Sequence, residues 1–183
     1  MSELDDIRDI LGFEPCRGAP IDWEAASQAL GATIPDDFRA LINATGTGRI
    51  GYDTLLLRPF AVNANYDQIR CHHKRMRDLE VIWEDEEQND PEDQSKPLIF
   101  NEPGVRPILW GRSGLGFYFY WVARDDTDSS KWQIAVEPAR YGQWEIHPGT
   151  ATNLLLRALR GDVTTLYLSS LRDAEQHFFT PAK

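Results

Sequence analysis

The segment Gly111–Gly116 is the first place in this sequence where residue types and spacing could do chemistry. A catalytic serine on a nucleophile elbow has glycine two residues before it and two residues after it, but Leu115 stands two residues after Ser113. A phosphate-binding glycine loop opens a helix, whereas the aromatic run that follows Gly116 is typical of a strand. The segment therefore predicts a glycine-rich hairpin turn, with a ligand-contacting loop as the alternative.

Cys71-His72-His73 is a cluster of residue types that bind metals. Neighbouring side chains on a helix point about 100° apart, so these three cannot converge on one ion. The positions one turn later, where further ligands would have to stand, hold Arg75 and Met76. We expect no metal or cofactor here, and we expect His73 to be a hydrogen-bonded histidine in or beside the core.

Acid–base catalysis requires carboxyl groups that lie close together in space. The chain has 29 Asp and Glu residues, but their spacing singles out no pair. We therefore predict that the protein is not an enzyme. An enzyme with an unrecognised carboxylate site stays an alternative, and it predicts a deep pocket that holds a carboxyl group of perturbed pKa.

The charge of the chain is strongly acidic and uneven. The formal net charge is -10, and seven acidic residues fall within ten positions: Glu84, Asp85, Glu86, Glu87, Asp90, Glu92 and Asp93. Such a charge repels nucleic-acid backbones and anionic lipid surfaces, so neither is an expected partner. The block is either a solvated loop or a docking patch that steers a basic partner.

Hydropathy and the N-terminal sequence indicate a cytoplasmic protein. The most apolar stretch, Leu115–Ala123, is about half of the 18 to 20 residues that a membrane span requires. The N-terminal residues Met1–Asp6 are acidic, and no apolar run of the kind found in secretory signals follows them.

Helical periodicity dominates the first half of the chain. The predicted helices, with their capping residues, run from Leu4 to Gly12, Asp22 to Gly31, Pro35 to Gly46 and Asn65 to about Asp85. A strand is predicted over Thr54–Phe60. The helix that starts at Asn65 should fray at its C-terminal end into an acidic insertion loop over residues 84–96.

The second half changes to short aromatic and β-branched segments separated by turn residues. Strands are predicted over Val105–Trp110, Gly116–Ala123, Lys131–Glu137 and Gln143–His147, followed by a helix from Thr150 to Gly161. Residues 163–171 fit a helix and a strand equally well, and 173–183 form a C-terminal tail. The fold class is α+β: N-terminal helices packed on a mainly antiparallel, twisted sheet, with a further helix after it. The chain is predicted to be one domain, 1–183, with its core over about 22–161.

Aromatic side chains occupy both faces of the predicted strand at 116–123, because successive residues of a strand point in opposite directions. Phe119 and Trp121 point one way, and Tyr118 and Tyr120 point the other. The strand is either central and covered on both faces, or one face is open to a partner, since tyrosine and tryptophan are frequent interface residues. Tyr118 and Tyr120 are the candidate contacts.

The segment Leu30-Gly31, Ile34-Pro35, Phe38 and Gly46 resembles the N-terminal signature of the SUKH superfamily, the Smi/Knr-like proteins. Downstream, Ile108–Gly111 followed by Gly114–Tyr118 is similar to that family's strand, glycine turn and aromatic strand.

The resemblance implies a non-enzymatic protein-binding domain. Bacterial members of the family are typically immunity proteins that neutralise polymorphic or contact-dependent toxins, so the implied partner is a cognate toxin, possibly a basic nuclease domain. The acidic block, Tyr118 and Tyr120 are the expected contacts. A regulatory or scaffolding module with a housekeeping partner is the alternative.

Overall fold

The computed structural model describes residues 2–16, 18–89, 95–138, 143–168, 171 and 177–182. The helices of this part are α1 (Glu3–Leu11), α2 (Trp23–Leu30), α3 (Asp36–Thr45), α4 (Gln68–Asn89) and α5 (Ala151–Arg160). The strands are β1 (Gly48–Ile50), β2 (Thr54–Leu56), β3 (Val105–Ser113), β4 (Tyr118–Arg124), β5 (Gln133–Glu137), β6 (Glu145–His147) and β7 (Phe179–Pro181). Within the described ranges, no helix has the length and apolar character needed to cross a membrane.

The strands form one antiparallel sheet in the order β6-β5-β4-β3-β2-β1-β7. Neighbours in the sequence are neighbours in the sheet up to β6, because short connections join antiparallel strands. β7 returns to pair with β1 at the opposite edge. This arrangement confirms the predicted α+β class and the helix that follows the sheet.

Each face of the sheet is covered by its own hydrophobic cluster. One contains residues of α1, α2, α3 and α5 together with Phe119 and Trp121 of β4. The other contains Tyr120 and Val122 of the same strand together with Leu79 of α4. The prediction of a central strand covered on both faces is therefore confirmed, and the open aromatic face is wrong.

Local capping signals define several helix ends as the sequence predicts. The Asp22 carboxylate accepts the Ala25 N–H at 2.9 Å to start α2, and the Thr150 hydroxyl accepts the Asn153 N–H at 3.2 Å to start α5. Gly31 and Gly161 end these helices in the left-handed conformation, with φ of 65° and 75°.

Two predictions about α4 need correction. The helix continues to Asn89, so the first part of the predicted acidic loop, Glu84–Glu87, is helical. Packing of Trp83 against Phe100, with ring centroids 6.2 Å apart, stabilises these last turns. The buried histidine also differs, because His72 contacts the sheet, whereas His73, expected in or beside the core, is exposed.

Two polar side chains of α4 join the helix to the backbone of β3. β2 pairs with β3 from Ser113 to Gly111 and does not reach Leu109. The Gln68 amide donates to the Leu109 carbonyl at 2.9 Å, and the Leu109 N–H donates to Nδ1 of His72 at 3.3 Å. Because a buried backbone group without a partner is costly, this double contact fixes the position of α4 on β3.

The sequence did not predict β1 or the edge strand β7 that pairs with it. β7 lies within the predicted tail 173–183, of which the structure describes 177–182. A Cβ at position 48 would collide with the Phe179 ring and the Thr180 carbonyl, so Gly48 allows the two strands to approach. The undecided segment is neither helix nor strand over 163–168.

We expect the contact of His72 with Leu109 to make stability depend on pH. Burial, with smaller contributions from His73 and Arg106, lowers the pKa of His72 from its ordinary value of 6.5 to about 4. The neutral ring is therefore favoured by folding. The contribution of neutral His72 to the free energy of unfolding is fully present above pH 6.5. About 3 kcal/mol of it is lost as the pH falls towards 4.

Urea unfolding at pH 7, 5 and 4 measures this loss against a His72→Gln variant, whose amide oxygen can accept the same N–H but does not titrate. Between pH 7 and 4, we expect the free energy of unfolding of the wild type to fall by about 3 kcal/mol more than that of the variant. Parallel pH dependences of the two proteins would contradict the assignment.

Candidate functional site

An open acidic hollow of about 460 Å³ lies between the last turns of α4 and the segment that leads into β3. Its lining combines carboxylates with an indole ring and one ammonium group. The residues are Glu80, Trp83, Glu84, Glu86, Glu87, Lys96 and Asn101. We call this feature the acidic hollow.

Helical spacing brings these side chains together. Glu80, Glu84 and Glu87 are separated by four and three residues, so their side chains share one exposed face of α4. The Trp83 ring packs against the rings of Phe100 and Trp144, with centroids 6.2 and 6.3 Å from its own. The hollow therefore has an aromatic base that packs against other rings and an exposed acidic rim.

The carboxylates of this rim form no ion pair with any described residue. In the part of the chain that the structure describes, no Lys or Arg nitrogen lies within 4 Å of Glu80, Glu84 or Glu87. Glu86 accepts hydrogen bonds at 2.8 Å from the backbone N–H and the hydroxyl of Ser95. Elsewhere, by contrast, acidic residues such as Asp6, Glu102 and Asp125 pair with arginines.

Lys96 supplies the positive charge in the acidic hollow. Its Nζ lies 5.1 Å from the centroid of the Trp83 ring, which is cation–π geometry. No described carboxylate oxygen lies within 4 Å of this Nζ. The acidic hollow thus holds a primary ammonium on its aromatic base and leaves its carboxylates unpaired.

The predicted contacts are not all on this surface. Glu84–Glu87 are on α4 at the acidic hollow, whereas Asp90, Glu92 and Asp93 lie outside the described residues. Tyr120 was predicted as an exposed contact, and this is wrong: its relative exposure is 0% because β4 is central in the sheet. Tyr118 is half-buried, and the Arg75 guanidinium carbon lies 4.3 Å from the centroid of its ring.

A charged network supplies hydrogen-bond partners for the buried hydroxyl of Tyr120. The Glu137 carboxylate forms an ion pair with Arg75 and accepts a hydrogen bond from the Tyr120 hydroxyl. Nε of Arg75 also donates to the Tyr120 hydroxyl at 3.2 Å. Burial raises the pKa of Glu137, although its hydrogen bond from Arg75 acts in the opposite direction, and burial raises the pKa of Tyr120.

This network lies outside both hollows and links packed elements. Glu137 has the raised pKa that the enzyme alternative predicts, but it lines neither the acidic hollow nor a second hollow of about 310 Å³ beside Arg106 and Trp132. Its two oxygens already accept from Arg75 and Tyr120. The network joins α4 to β4 and β5.

The other chemical motifs have structural partners. Nε2 of His73 lies 3.1 Å from the Ala29 carbonyl oxygen, while His72 contacts β3. Among the described residues, no group of three potential metal ligands comes together. The predicted hairpin turn is confirmed, because the Ser113 N–H donates to the Phe117 carbonyl at 2.8 Å. The Ser113 hydroxyl donates to Asp53 at 2.7 Å.

Sequence reasoning missed four residues of the acidic hollow: Glu80, Trp83, Lys96 and Asn101. The spacing of Glu80, Glu84 and Glu87 was a readable signal of a shared helix face. The contribution of Lys96 was not readable, because it depends on how the chain returns to α4 after residue 94.

No protein-family model matches this chain, and searches of curated proteins and of solved structures found no significant similarity. The SUKH resemblance therefore stays a prediction that rests on its motifs.

We expect Arg75→Ala to destabilise the protein by about 3–5 kcal/mol, because it leaves the Glu137 carboxylate buried without its cation. Replacing the whole network by Arg75→Met, Tyr120→Phe and Glu137→Met should recover most of that loss. Urea unfolding at pH 7 measures both. The matched control is Arg77→Ala, which removes an exposed arginine from the same helix. A cost for Arg75→Ala no larger than this control would contradict the assignment.

Proposed function

We propose that this protein is a non-enzymatic binding domain that uses the acidic hollow to hold a basic surface of a partner protein. The observation that carries the proposal is the set of unpaired carboxylates, Glu80, Glu84 and Glu87, around the base formed by Trp83. Like charges one helical turn apart destabilise a helix by a few tenths of a kcal/mol each. A partner's cations would relieve this repulsion.

Electrostatics gives this surface a kinetic role. A net charge of -10 with unpaired acids on one helix end attracts a basic partner and orients its approach. Such steering raises association rates by about 10- to 1000-fold at low salt. Aromatic anchors such as Trp83 commonly contribute the short-range part of binding energy.

The nature of the partner follows from the SUKH resemblance as part of this proposal. The partner is a cognate toxin, and the domain acts as an immunity protein in the cytoplasm. If the toxin is a nuclease with a basic cleft, the carboxylates of α4 occupy the surface that would otherwise bind phosphates. Inhibition is then stoichiometric and needs no chemical step.

Affinity capture from the native lysate, with elution at low and then high salt and identification by mass spectrometry, tests the identity of the partner. We expect one stoichiometric partner that is released by high salt and inhibits growth when expressed alone. Co-expression of this protein should restore growth. Capture of a housekeeping complex whose components are not toxic would favour the scaffolding alternative and contradict the immunity proposal.

Reversal of the acidic rim tests the surface. The triple variant Glu80→Lys, Glu84→Lys, Glu87→Lys should bind the captured partner with an association rate at least about tenfold lower, because it removes the steering charge. The salt dependence of the rate should flatten as well. Stopped-flow measurements between about 20 and 300 mM salt measure both, because the screening of exposed charges increases strongly over this range.

The control variant changes the net charge equally at exposed positions elsewhere: Glu14→Lys, Glu24→Lys, Asp162→Lys. If both triple variants slow association to the same degree, net charge rather than the acidic hollow governs binding, and the proposed surface is wrong.

A further inference from the structure

We infer that the acidic hollow receives one arginine side chain of the partner, whose guanidinium stacks on the Trp83 ring in the place that the Lys96 ammonium occupies. This inference rests on the proposed function and names the group that the acidic hollow recognises. It follows from the volume of the hollow, its aromatic base and the cation already seated there.

The acidic hollow is open to solvent and has room for a side chain. Its volume of about 460 Å³ lies within the range of about 300–1000 Å³ typical of ligand pockets. The rings of Phe100 and Trp144 pack against the Trp83 ring and hold it in place. A cation therefore meets a preorganised ring, which lowers the entropic cost of binding.

Lys96 shows that this ring accepts a cation. Its Nζ lies 5.1 Å from the ring centroid and has no described carboxylate within 4 Å. Among the described residues, the Trp83 ring is therefore the contact that holds the ammonium, and a cation–π contact at an exposed site is weak. A competing cation can displace it.

A guanidinium fits this place better than an ammonium. It is planar and stacks on an indole, and its five N–H donors can reach several acceptors at once. The carboxylates of Glu80, Glu84 and Glu87 line the same hollow without cationic partners. An arginine can use the ring and the carboxylates together.

Lys96 is then an internal competitor. Its neighbour Ser95 is bound to Glu86 through two hydrogen bonds of 2.8 Å, which hold this segment against α4. A tethered competitor reduces the apparent affinity by the fraction of time that it fills the site. Removal of the Lys96 charge should strengthen the binding of an arginine ligand.

The test uses the full chain and a blocked peptide, acetyl-Gly-Arg-Gly-Arg-Gly-amide, with the citrulline peptide of the same length as the neutral control. Binding is followed at low salt by calorimetry and by the indole N–H resonance of Trp83, assigned with Trp83→Phe. We expect the arginine peptide to bind and shift that resonance, and the citrulline peptide to do neither.

Two variants separate ring recognition from general charge. Lys96→Gln should bind the arginine peptide roughly three- to tenfold more tightly than the wild type. Lys131→Gln, which removes an exposed lysine from another part of the molecule, is the matched control. Trp83→Leu should lose most of the binding, and circular dichroism checks that this variant is folded.

An equal gain for Lys96→Gln and Lys131→Gln, equal binding of the two peptides, or no binding by any variant would overturn the inference. The same variants, measured with the captured partner, distinguish its failure from that of the proposed function. If reversal of Glu80, Glu84 and Glu87 weakens partner binding while Lys96→Gln and Trp83→Leu leave it unchanged, the binding surface stands and the arginine site is wrong.

Discussion

The position of α4 depends on how two of its side chains satisfy the backbone of Leu109. β2 is too short to pair with this residue, and a buried N–H and C=O without partners would each cost free energy. Gln68 donates to the carbonyl and His72 accepts from the N–H. The helix thereby replaces a missing length of strand. This requirement explains why two polar residues, rather than apolar ones, occupy the buried start of α4.

The packing on the face of the sheet that α4 covers follows from that attachment. Once Gln68 and His72 fix the start of α4, Arg75 lies opposite Glu137, and Leu79 packs into the same cluster. Ion pairing with Arg75 compensates for the burial of the Glu137 carboxylate. The helix then continues past the edge of this cluster, where its Trp83 packs against Phe100.

The candidate site is the part of α4 that projects beyond this attachment. Unpaired carboxylates at the C-terminal end of a helix oppose the helix dipole, and their mutual repulsion adds to the cost. The packing of Trp83 against Phe100 and Trp144 holds the helical conformation against these forces. One helix thus has two roles: its first half supports the fold, and its last turns carry the exposed charge of the proposed binding surface.

The sequence by itself determined the α+β class, the capped ends of α2 and α5 and the hairpin after Ser113, because these depend on residues close together in the chain. Only the tertiary structure decided that His72 rather than His73 is buried, since the free backbone of Leu109 selects the helix face. It also buried Tyr120, which looked like an exposed contact. The acidic hollow needed both: helical spacing aligned its glutamates, and packing from distant segments provided its base and Lys96.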